Sequence, residues 1–108
     1  MNLTQFCGDQ PMIEHIVLVK VKSEHDSEID NICKSLVELK ELIPEIIQIN
    51  AGRNIASRSQ GFQFGLSSIF ASENDLQTYL DHPSHRTIVE NLISPIKEDI
   101  VVLDFERP

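Results

Sequence analysis

At 108 residues the chain is the size of one domain, with no room for a second core. Its 17 acidic and 9 basic residues give a net charge of −8. It lacks the concentrated Lys and Arg that grip a phosphate backbone or an anionic bilayer, so neither nucleic acid nor membrane is expected as a partner. No apolar run approaches the roughly 18 residues of a membrane span, and a hydrophobic content of 41% is that of an ordinary globular protein.

Residues 1–11 show no period of 2 or 3.6 and read as a flexible extension ahead of a domain over 12–106. No Lys- or Arg-led apolar segment opens the chain, and the two cysteines, Cys7 and Cys33, are too few for a disulfide scaffold. A cytoplasmic location with reduced thiols is the corresponding expectation. Ile13 to Lys22 (IEHIVLVKVK) is apolar at both parities in its middle, which predicts a central strand. His25, Asp26 and Ser27 offer caps for a helix whose stripe is Ile29, Ile32, Cys33, Leu36, Leu39 and Ile43. Pro44 ends it. Ile46 to Ala51 predicts a second strand, closed by Gly52, and residues 53–61 form a polar loop in which Arg53 and Arg58 read as solvated charges. Phe62, Phe64, Leu66, Ser68 and Phe70 share one parity and predict a third strand with a heavily apolar face. Ser72 caps a short helix carrying Leu76, Tyr79 and Leu80. His82-Pro83 breaks it, and Pro83 suits the first position of a new helix with Ile88, Val89, Leu92 and Ile93 on its stripe. Ile100 to Phe105 predicts the last strand.

The order β-α-β-β-α-β, with its second helix broken in two, predicts an α+β, ferredoxin-like split βαβ fold: a four-stranded antiparallel sheet with helices on one face. Those helices leave the other face bare. Pairs such as Ile16/Leu18 on the first strand and Val101/Leu103 on the last, or the opposite parity of the last strand, make it too apolar for a monomer. Packing two sheets face to face would bury it and predicts a homodimer.

Candidate chemistry concentrates at His82-Pro83-Ser84-His85. With Pro83 first in its helix, His82 is the cap and His85 the third residue. The positive helix N-terminus disfavours imidazolium there, leaving His85 neutral and able to accept a proton near pH 7. Tyr79, one turn earlier, can hold that proton or donate to an enolate oxygen. Two readings follow: a catalytic or ligand-contacting group, or a hydrogen-bonded corner of Tyr79, His82 and His85 that only fixes the helix break. His-x-x-His supplies two of the four ligands of a zinc set and nothing nearby completes it, so no metal is expected. His15, in line with Val17, Val19 and Val21, reads as a hydrogen-bonded core or interface residue, and Phe64 as core or the wall of an apolar pocket. The glycines match neither G-x-G-x-x-G nor G-K-[ST], so no nucleotide site is indicated.

The strand containing His15, Leu42-Ile43-Pro44, Gly52, Tyr79-Leu80-Asp81-His82-Pro83-Ser84-His85 and the closing VVLDFE (101–106) together resemble the stress-responsive α/β-barrel, or Dabb, family over residues 12–106. The resemblance implies ferredoxin-like subunits that dimerise through their sheets. A plant cyclase of that family closes a linear polyketide by aldol condensation without a cofactor. Its acid/base pair matches Tyr79 and His85, and a further cavity histidine matches His15. A helix tyrosine and a strand histidine of that cyclase are Leu36 and Phe64 here, so a more apolar cavity is implied. Two functions are therefore expected as alternatives. One is a small apolar or carbonyl ligand held among His15, Leu36, Phe64, Tyr79, His82 and His85, with cofactor-independent cyclase- or isomerase-like proton transfer. The other is a non-catalytic, stress-associated structural dimer whose cavity is filled by side chains.

Overall fold

A computed structural model describes residues 11–108; the expected extension at 1–11 lies almost wholly outside them. The strands are β1 (Ile13–Val21), β2 (Gln48–Arg53), β3 (Phe64–Phe70) and β4 (Lys97–Glu106). The helices are α1 (Ile29–Glu38), α2 (Glu73–Asp81) and α3 (Pro83–Ile88). The four-stranded sheet runs β2-β3-β1-β4 with every pairing antiparallel, which is the ferredoxin-like order. Among the described residues no helix is long and apolar enough to cross a membrane.

Register decides which side chains share a face. Ile13, His15, Val17 and Val19 of β1 pair with Phe70, Ser68, Leu66 and Phe64 of β3. The same four residues pair with Glu106, Asp104, Val102 and Ile100 of β4. This is the helix side. Ile13, Val19, Phe64 and Phe70 are buried there against Ile29, Ile32 and Leu36 of α1 and Leu76 and Tyr79 of α2. The opposite side carries Ile16 against Leu103 and Leu18 against Val101. The two apolar pairs expected on the bare face are thus direct cross-strand neighbours.

Several local details depart from expectation. The first helical segment begins earlier, as a 3₁₀ turn over Ser23–Glu28, and the α1 N-terminus has no side-chain cap. Asp26 and Asp30 bond the Arg53 guanidinium instead, at 3.2 and 2.9 Å. Arg53 is therefore a tie between α1 and β2 rather than a free loop charge. Strand β2 starts at Gln48 rather than Ile46 and runs to Arg53, past Gly52. Phe62 lies outside β3, with the Lys20 ammonium 5.0 Å from its ring centroid.

The broken second helix follows its expected chemistry. Ser72 Oγ accepts from the Asp75 amide at 3.1 Å and caps α2. Pro83 forces the preceding residue out of helical space, and His82 is extended (φ −65°, ψ 135°). The chain therefore stops α2 and starts α3 at one residue. After Ile88 the helix widens into a π turn over Val89–Ile93, with the Ser94 amide donating to the Val89 carbonyl at 2.8 Å. Such single-turn insertions recur at functional sites.

Candidate functional site

Between the helices and the sheet lies a cavity of about 200 Å³. His15, Val17 and Val19 of β1 and Phe64 and Leu66 of β3 form its floor. Leu36 of α1, Tyr79 and Leu80 of α2, His85 of α3, and Val89 and Ile93 of the π turn wall it. Ile100 and Val102 of β4 close one flank and are themselves 40% and 53% exposed, because the helices stop short of this edge strand. An apolar cavity of about 150 Å³ can hold benzene, so this space suits a ligand of one ring or a short chain.

Five of the six expected site residues line that space: His15, Leu36, Phe64, Tyr79 and His85. Leu36 and Phe64 bound the cavity without filling it. His82 does not line it. Its Nδ1 accepts from the Ser84 amide at 3.1 Å, capping α3, so its ring is committed to the helix break. The corner reading describes His82 and also the His85 ring, whose Nδ1 meets the Leu80 carbonyl across the break; the unpartnered Tyr79 hydroxyl takes no part in it.

Tyr79 is fully buried, and its hydroxyl has no hydrogen-bond partner among the described residues. Burial pushes its pKa well above the ordinary tyrosine value, so the phenol keeps its proton and presents an O–H donor. Its ring lies against His85 (centroids 4.4 Å), Phe70 (5.0 Å) and, edge-on, His15 (6.0 Å).

His85 Nδ1 lies 3.1 Å from the Leu80 carbonyl, and a carbonyl can only accept. The neutral ring therefore carries its proton on Nδ1 and its lone pair on Nε2. Its pKa is lowered, mainly by burial; the Leu80 bond opposes this, while His15 and His82 add to it. The sign is the one that the helix N-terminus predicted, but the leading cause is removal from water.

His15 is buried, and its Nδ1 lies 2.5 Å from Oδ1 of Asp104, its cross-strand partner on β4. This fixes the ring orientation and, in the neutral ring, leaves Nε2 as the unprotonated nitrogen. Asp104 escaped the sequence reading because an aspartate in a terminal strand looks like a solvated charge. Only the β1–β4 register brings it to His15. The π turn was equally hidden, since periodicity does not distinguish it from ordinary helix. Among the described residues no group of three His, Cys, Asp or Glu side chains is placed to hold a metal ion.

The described residues thus form a ferredoxin-like sheet with two histidines and a tyrosine in a cavity beneath its helices. The model of the stress responsive A/B barrel domain matches residues 13–107. The chain belongs to that family, Dabb. A stress-response A/B barrel domain-containing protein of Arabidopsis thaliana is 33% identical over 96 residues, covering 87% of this chain and 36% of that protein. A second Arabidopsis relative is covered over 46% of its length, so the chain spans less than half of the curated relatives it matches. A dimeric ferredoxin-like protein of unknown function from Bacteroides fragilis superposes with a TM-score of 0.80 at 27% identity, covering 93% of this chain and all of that one (100%). The hydroxynitrile lyase of Passiflora edulis superposes equally well (TM-score 0.80, 25% identity, 92% of this chain and 95% of that one).

Proposed function

We propose that this protein binds a small, mostly apolar carbonyl compound in the helix–sheet cavity and moves a proton on it without a cofactor. The observation that carries this reading is the Tyr79 hydroxyl, buried and unpartnered in an apolar space beside a histidine of defined tautomer. A buried hydroxyl left unpaired costs stability, which a fold under structural selection alone would shed. A ligand oxygen supplies the missing acceptor. His85 Nε2 then takes a proton from the carbon beside the carbonyl. The C–H electron pair moves into the enolate, and the Tyr79 O–H donates to the oxygen where charge builds. Isomerisation, aldol-type cyclisation and carbon–carbon lyase chemistry all begin or end with such a transfer. A hydroxynitrile lyase among the structural neighbours supports a lyase-like variant, in which the same base receives a hydroxyl proton. The apolar Leu36 and Phe64 favour a small ligand over a polar polyketide chain.

The same reading includes a homodimer joined through the bare sheet face. Its support is the apolar cross-strand pairs on that face and the dimeric state of structural neighbours from Bacteroides fragilis and Thermobifida fusca.

The test is deuterium exchange into the methyl group of acetophenone in heavy water, followed by proton NMR. The protein is expected to accelerate exchange, and His85→Ala and Tyr79→Phe to lower the rate by about a hundredfold. Exchange no faster than in buffer, or unchanged in both variants, contradicts the reading.

A further inference from the structure

Apart from His15 and His85, every residue lining the cavity is aliphatic or aromatic, Tyr79 with its phenol included, and no lysine or arginine is among them. A groove of about 350 Å³ flanks it, bounded in part by Ile13, Leu76 and Leu80. Leu80 walls both spaces, and Asp104, which lines the groove, bonds the cavity's His15. The charged residues of the groove are Glu73, Asp104 and Glu106, all acidic. The arginines nearest in sequence are engaged elsewhere: Arg86 lies 4.0 Å from Glu90, and Arg107 lies 3.4 Å from Glu14. The His15 ring already faces the Asp104 carboxylate.

We propose that this arrangement selects ligands by charge: the cavity accepts uncharged carbonyl compounds and rejects those bearing a carboxylate or phosphate. The proposal rests on the cavity being the ligand site, and it names the substrate class of that site. An anion entering the cavity gives up its water for a lining with no cation to receive it. The carboxylates of the adjoining groove, Glu73, Asp104 and Glu106, add like-charge repulsion. A neutral ketone or aldehyde meets neither obstacle, and its single oxygen finds the Tyr79 donor.

Isothermal titration with cyclohexanone, methyl levulinate and levulinate tests it on the wild-type chain and on a Glu73→Gln/Glu106→Gln variant. These glutamates line the groove and not the cavity. The two neutral ketones are expected to bind to both proteins. Levulinate is expected to bind roughly tenfold or more weakly than its methyl ester to the wild type, with part of that gap closed in the variant. Levulinate binding as tightly as its ester overturns charge selection while leaving the cavity reading standing. Rejection of ester and carboxylate alike, with cyclohexanone bound, shows selection by size and overturns it as well. Failure of all three to bind sinks the cavity reading and the selectivity together.

Discussion

A histidine kept out of water gives pH-dependent behaviour whose sign is fixed. His85 has a folded-state pKa below its ordinary value. The unfolded chain therefore takes up its proton first as pH falls. The stability contributed by the neutral ring is fully present above about pH 6.5 and is lost as pH drops through the lowered folded value. Melting temperature measured against pH should fall on that acid side, and His85→Gln should flatten this part of the curve. Activity that depends on the base should show the same acid limb in kcat/KM, displaced below the ordinary histidine range. Tyr79 yields a second expectation at this scale. Replacing an unpartnered buried phenol by Phe removes a desolvation penalty, so Tyr79→Phe should raise unfolding stability by about 1 kcal/mol while ligand binding falls. Chemical denaturation of the two proteins checks the first half, and a loss of stability would mean that the hydroxyl is satisfied after all.

The elements show where local chemistry suffices and where it does not. The break between α2 and α3 was legible in Ser72, His82 and Pro83 because caps and proline act within a few residues. Their roles follow from spacing. His82→Ala should cost about 1 kcal/mol through loss of the α3 cap. It should leave exchange of a small ketone nearly intact, since the ring does not line the cavity; an exchange rate as low as that of His85→Ala would return His82 to the site. The start of the first helix was less legible. Asp26 and Asp30 look like capping and dipole residues in isolation, but Arg53, distant in sequence, claims both carboxylates. The His15–Asp104 pair and the π turn were not legible at all. The first depends on strand register between residues at opposite ends of the chain. The second depends on one extra residue accommodated in a helical turn, which hydrophobic spacing does not record.

At the scale of the molecule, the fold was legible because the alternation of strands and the interrupted helix admit few arrangements, and the observed sheet is the expected four-stranded antiparallel one. The apolar back of that sheet sets a further expectation. Leu103, 53% exposed on β4 and paired with Ile16, lies at the centre of the proposed contact. Leu103→Glu should convert a dimer to a monomer in light scattering without changing the far-ultraviolet circular dichroism. A wild-type chain that is already monomeric at high concentration would contradict the interface. In the cavity, under the proposed function, a neutral His85 and an unpaired Tyr79 await a carbonyl oxygen. Side-chain nitrogen NMR of His85, with and without saturating cyclohexanone, tests this most directly. The expected result is an Nδ1-protonated neutral ring titrating below pH 6.5, with resonances that move when the ketone is added. A ring that titrates at the ordinary value and ignores the ketone would contradict it.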